Sequence, residues 1–111
     1  MAVSDPVKPL AFSLSPNAPN LFNPTTIRFG LPEAGPVRLV VYNTTGQVVR
    51  TLVDGHRAAG FYAVTWDGRD ALGRDVSSGV YLYCLAHTAA NRNDSQTNSN
   101  AVRVRRMVLL R

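Results

Sequence analysis

Apolar and polar residues alternate in steps of two along most of this chain, and no stretch repeats at helical spacing. Over residues 25–31, Ile27, Phe29 and Leu31 share one face while Thr26 and Arg28 share the other. Residues 37–42 set Val37, Leu39 and Val41 inward, and the turn Asn43-Thr44-Thr45-Gly46 leads into a return strand at 47–53. A second turn is expected at Asp54-Gly55. Residues 61–66 alternate Tyr62, Val64 and Trp66 with Phe61, Ala63 and Thr65, the pattern of a central strand with Trp66 as a core anchor.

Punctuation separates these runs. A first short strand at 11–15 is followed by Pro16, Asn17, Pro19, Asn20, Asn23 and Pro24, which restrict the backbone and predict an ordered loop. Residues 67–79, rich in Asp, Gly and Ser, read as a loop, and 80–86 as the next strand with Val80, Leu82 and Cys84 on one side. Residues 88–100 carry four Asn and no large apolar side chain, so an exposed, mobile excursion is expected there. In the last strand, 101–110, Val102 and Val104 start on one face. Continued alternation would turn Arg106 inward, so a bulge near Arg105 or Arg106 is expected to return Met107 to Leu110 to the core.

Short strands at this spacing predict an all-β fold, an immunoglobulin-like antiparallel β-sandwich of about seven strands. A chain of 111 residues suits one such domain, read here as 11–111 behind a flexible N-terminal segment, 1–10. With 45% hydrophobic and 17% charged residues, the chain has enough to bury and too little charge for intrinsic disorder.

The formal charge is +5, and eleven of the twelve basic residues are arginine, the side chain suited to bidentate contact with carboxylates and phosphates. Arg103, Arg105, Arg106 and Arg111 lie in the last eleven residues with no side-chain acid among them. They predict either an anionic partner or a charged edge guarded against aggregation. If they form a docking strip, replacing Arg103, Arg105 and Arg106 with Ser is expected to weaken association and leave thermal stability nearly unchanged. The Pro-rich loop, with Pro19, Phe22, Asn23 and Pro24, is a second candidate surface because its backbone loses little entropy on docking.

Constellations for chemistry do not assemble in the sequence. Cys84 is flanked by apolar residues and has no assignable histidine partner, so it reads as a buried structural cysteine. As the only cysteine it can form no internal disulfide, which leaves the compartment open. His56 and His87 stand apart without zinc-ligand spacing. Asp67, Asp70 and Asp75 loosely resemble a calcium loop but lack a closing acid, and fit better as side chains that cap backbone amides in a turn. There is no Gly-x-Ser-x-Gly elbow and no glycine-rich phosphate cradle. Aromatic and basic residues are not interleaved as a nucleic-acid platform requires, so no specific nucleic-acid partner is expected. Neither an enzyme nor a cofactor or metal site is expected.

The separated blocks Pro19 to Thr26, Val41 to Val49, Trp66 to Asp70 with Gly73, Ser78 to Tyr83 and Arg106 to Arg111 resemble, in this order, a known family. It comprises the C-terminal sorting domains of the type IX secretion system and the related Ig-like domain of the flagellar hook-capping protein. The resemblance implies a seven-stranded sandwich recognised by a translocon and used in attachment at the cell surface.

Three roles follow as expectations. The first is a docking or anchoring module for type IX secretion, with the secretion machinery as protein partner. The second is a free-standing structural subunit of a larger, possibly membrane-bound complex. The third is a carbohydrate-binding or adhesive domain, for which Tyr42, Tyr62, Tyr81, Tyr83 and Trp66 are better placed in the core than on a binding rim. The basic strand also admits an anionic glycan or a membrane surface as partner. Neither a secretory leader nor an apolar span of membrane length is legible, so the chain reads as a cell-surface protein if Met1 begins a fragment, and as cytoplasmic, possibly membrane-peripheral, if it is complete.

Overall fold

Two antiparallel sheets stack their apolar faces against each other in the computed structural model, which describes residues 11–18, 24–89 and 99–110. The strands are β1 (Ser13–Leu14), β2 (Thr25–Leu31), β3 (Gly35–Tyr42), β4 (Val48–Arg57), β5 (Gly60–Trp66), β6 (Gly79–Ala89) and β7 (Ser99–Leu109). One sheet runs β1-β2-β5 and the other β4-β3-β6-β7, the immunoglobulin-like sandwich that the alternation predicts.

Between the sheets lie Ile27, Phe29 and Leu31 from β2, Val37, Leu39 and Val41 from β3, Tyr81, Tyr83 and Leu85 from β6, and Met107 and Leu109 from β7. Trp66 closes one end of this core, 1% exposed, with its ring edge-on to Tyr81 at 5.5 Å. Phe29 and Tyr62 stack at 5.2 Å. The polar tips of these rings all bond to loop carbonyls. Trp66 Nε1 donates to Arg69 at 2.9 Å, Tyr62 to Ala58 at 2.6 Å, Tyr81 to Ser77 at 2.6 Å and Tyr83 to Ser15 at 2.8 Å. Burial pushes the Tyr83 hydroxyl above its ordinary pKa, opposed by the Asn17 backbone and the Arg105 charge.

Several boundaries depart from expectation. Asp54 and Gly55 make no turn; they pair with Arg38 and Val37 inside β4, and the chain reverses at Ala58 and Ala59 instead. A turn-forming dipeptide is overridden here because the ladder to β3 supplies its backbone partners. The first strand is shorter than expected, only Ser13–Leu14. The polar excursion is shorter too: Thr88 and Ala89 pair with Asn100 and Ser99, while 90–98 lies outside the described residues, as does the segment 1–10.

The expected bulge in β7 is absent. Its pairing with β6 continues without a shift from Gly79↔Leu109 to Ala89↔Ser99. The phase is therefore set by Met107 and Leu109, which are buried, and Val102 and Val104 face outward, 54% and 56% exposed. Register shifts occur in the β3–β4 ladder, between Leu39 and Val40 and between Val41 and Tyr42. Cys84 lies on the outer face beside Val40 and Val104, half-buried rather than within the core, and desolvation raises its pKa.

Gly35 marks a close approach: a Cβ there would collide with the carbonyl oxygen of Thr88 in β6. Replacing Gly35 with Ala is expected to cost about 1–3 kcal/mol, as forced overpacking does, and to lower Tm by at least about 5 °C in thermal denaturation. An unchanged Tm would show that the strands part without penalty.

His87, 3% exposed, has an Nε2 atom without a hydrogen-bond partner among the described residues, and its ring stacks on Phe12. Desolvation holds its pKa below 6.5, against a backbone hydrogen bond and charge from Glu33; His56 lowers it further. The folded chain therefore binds this proton less readily than the unfolded chain, so stability falls as pH drops below about 6.5. Tm is expected to be lower at about pH 5 than at about pH 7.5, and His87→Gln is expected to flatten that slope whatever its absolute Tm. A slope that survives the substitution places the proton elsewhere.

Candidate docking surface

The arginines of the last strand divide between two jobs because alternation sends neighbours to opposite faces. Arg103 and Arg105 share the phase of Met107 and Leu109, but the sandwich ends here at the short strand β1, so both side chains turn across it. Arg105 Nε donates to the carbonyl of Leu14, and the Arg103 guanidinium lies 5.3 Å above the Phe12 ring. A second Arg103 nitrogen reaches the Val102 carbonyl at 3.0 Å. These two side chains tie β1 to β7 and so serve the fold. Three arginines read from sequence as one docking strip thus do not point the same way.

Arg106 alone among them faces outward, in register with Leu82 and Tyr42. It borders an apolar strip on the outer side of the four-stranded sheet, where Val40, Cys84 and Val104 lie side by side across three strands and Ala86 and Val102 occupy the next row. Arg38 closes that row at the far side, opposite Asp54. The outward valines were legible by reading backward from Met107 and Leu109 in steps of two, which puts Val102 and Val104 on the solvent side.

Pro24 is exposed at the start of β2, while Pro19, Phe22, Asn23 and Arg111 lie outside the described residues. Nearby, Asn17 is buried and its amide donates to the Thr25 hydroxyl at 3.0 Å, so the described part of the Pro-rich loop is anchored to β2. The strand expected to be central, β5, lies at the edge of the three-stranded sheet and presents an exposed aromatic. Phe61, 61% exposed, stands opposite Gly30, and with Ser13, Ser15 and Arg28 it lines a shallow hollow.

The acidic loop between β5 and β6 is held by its own residues and by Arg50 and Val49 of β4. Asp70 Oδ1 accepts from the backbone amides of Leu72 and Arg74 at 2.9 and 3.0 Å, and Asp67 accepts from that of Arg69 at 3.1 Å. Each carboxylate also meets an arginine: Asp67 with Arg50 at 3.6 Å, Asp70 with Arg74 at 3.3 Å, and Asp75 with Arg69 at 3.3 Å. The Arg74 amide, more than its charge, holds the Asp70 carboxyl below the ordinary carboxylate range, against some desolvation. Asp67 and Asp70 thus cap backbone amides of the loop, as their spacing suggests, and the three acids pair with Arg69 and Arg74 of the loop and with Arg50 of β4.

Residues 15–91 match the model of the FlgD Ig-like domain. No curated protein matches the chain by sequence. Among solved structures, dimeric latent PorU from Porphyromonas gingivalis superposes with a TM-score of 0.62 at 18% identity, over 89% of this chain and 9% of that one. FlgD from P. aeruginosa superposes with a TM-score of 0.50 at 22% identity, over 75% of this chain and 58% of that one. PorZ, a surface component of the type-IX secretion system of Porphyromonas gingivalis, gives a TM-score of 0.44 at 20% identity, over 91% of this chain and 12% of that one. The chain thus spans less than two thirds of each, and the likeness to PorU and to FlgD speaks to the fold. With its seven-stranded sandwich and a match over most of its length, the chain belongs to the FlgD Ig-like domain family.

Proposed function

We propose that this domain docks or anchors the polypeptide that carries it, as a C-terminal sorting module for type IX secretion and cell-surface attachment. The observation that carries the reading is the family match over 15–91, on a sandwich whose buried polar tips serve its own loops while Val102 and Val104 stand exposed on its outer face. The blocks that resemble sorting domains extend the reading to secretion machinery as the partner, and the similarity of PorU over 89% of this chain supports the same architecture. A fold by itself assigns no partner, so the sorting role rests on those blocks together with the exposed surface.

The alternative role, a structural subunit of a larger and possibly membrane-bound complex, is favoured by one feature: a basic outward residue, Arg106, beside apolar side chains, which suits a fixed protein interface. Among the described residues no helix is long and apolar enough to cross a membrane.

Fusing the chain behind an exported fluorescent reporter in a host with a type IX system tests the first reading. The expected result is reporter attached to the cell surface, lost when the domain is removed; reporter retained in the periplasm would leave the structural-subunit role. The arginines separate as well. Arg106→Ser is expected to weaken docking and its salt sensitivity with Tm nearly unchanged, because the side chain is exposed. Arg105→Ser is expected to lower stability by about 1–3 kcal/mol, because it removes the charged donor to Leu14. Equal Tm values for the two variants would contradict this division.

A further inference from the structure

The two edges of the four-stranded sheet are built differently. The β4 edge is interrupted by two register shifts, which twist an edge away from further pairing. The β7 edge is regular over its whole length and contains neither proline nor glycine. In an antiparallel strand, the N–H and C=O of one residue point to the same side, and successive residues alternate sides. The Asn43 amide donates to Gln47 in the β3–β4 hairpin, so the odd residues of β3 face β4 and its even residues face β6. Carried through the unshifted registers, this turns the even residues of β6 toward β3 and its odd residues toward β7. The backbone groups of Val102, Val104, Arg106 and Val108 therefore lie on the edge away from β6, where no strand of the described residues pairs with them. The Val102 carbonyl on that edge already accepts from the Arg103 guanidinium at 3.0 Å, so the groups left for pairing are those of Val104, Arg106 and Val108.

We propose that the β7 edge is a strand-addition site that takes an extended segment of a partner protein, with apolar side chains opposite Val102 and Val104 and a carboxylate opposite Arg106. The inference deepens the docking reading and rests on it. The same residues that present their backbone at the edge place their side chains on the outer face, so an added strand would continue the apolar strip of Val40, Cys84 and Val104 by one more column. Val102 and Val104, more than half exposed, would be covered by it. Charge selects the occupant: β7 contains three arginines and no acid, so pairing with an acidic strand gains attraction. Two copies of β7 set against each other would bring Arg103, Arg105 and Arg106 together, which opposes self-pairing.

The probe is a blocked peptide of about ten residues bearing Val, Val and Glu at alternate positions with Thr between them, and a control has Lys in place of Glu. Titrated into the isotope-labelled chain, the acidic peptide is expected to slow amide exchange at Val104, Arg106 and Val108, and the Lys control to bind about tenfold more weakly. Arg106→Glu is expected to reverse that preference without unfolding the domain. Val104→Pro removes a donor from the open side only, a position where an edge strand tolerates proline, and is expected to abolish protection. Binding that perturbs the outer face without protecting those amides, or a chain dimer that Val104→Pro dissolves, would overturn the proposal. The two readings part cleanly. Surface delivery of the reporter by the Val104→Pro chain would leave docking intact and remove the edge from it, whereas peptide protection without surface delivery would keep the edge and remove the sorting role.

Discussion

Burying a tyrosine hydroxyl obliges it to find an acceptor, and the rest of this sandwich is arranged around that requirement. Tyr83 sits in the middle of β6, fully covered, and its hydroxyl crosses to the Ser15 carbonyl of the opposite sheet. An unpaired hydroxyl at this depth would cost about 1–3 kcal/mol, so the bond constrains where the segment after β1 can lie. Arg105 adds a second tie one residue away, at Leu14. Trp66, Tyr62 and Tyr81 repeat the arrangement at other loops, each with an apolar body in or against the core and a donor aimed at a nearby carbonyl. The described loops at Ser15, Ala58, Arg69 and Ser77 are thereby pinned from within.

That internal use of polar groups bears on what remains outside. The acids of the β5–β6 loop are committed to backbone amides and to Arg50, Arg69 and Arg74. Arg103 and Arg105 are committed to β1. What faces outward is Val102 and Val104 with half-buried Cys84 beside them, between Arg38 and Arg106 and next to a regular sheet edge, while Val40 in the same row is buried. A surface of this kind offers complementarity to another protein rather than a place for bond-making chemistry, in keeping with the structural family to which the chain belongs.

The strand-level pattern was legible wherever two or more large apolar residues occupied alternate positions, as in β2 and β3, where one face of the sheet is buried and a slip of one residue would expose it all. The turn at Asn43 to Gly46 was legible as well, and Gly46 takes the positive φ of 87° that such a reversal favours. Asp54-Gly55 misled, because a turn propensity is a weak local preference against a ladder that continues through His56 and Arg57.

The sequence alone determined the all-β class, the inward faces of β2 and β3, the core position of Trp66 and the capping role of Asp70, because each depends on spacing or on contacts within a few residues. It also carried the family resemblance, in blocks that keep their order. Only the tertiary structure decided the phase of β7 and the division of its arginines. Read forward from Val102 and Val104, or backward from Met107 and Leu109, periodicity gives opposite phases for that strand, and nothing in the spacing chooses between the two readings. The choice falls to β6, whose buried tyrosines pair with Arg105 and Met107, and to β1, whose carbonyl accepts the arginine that the core could not.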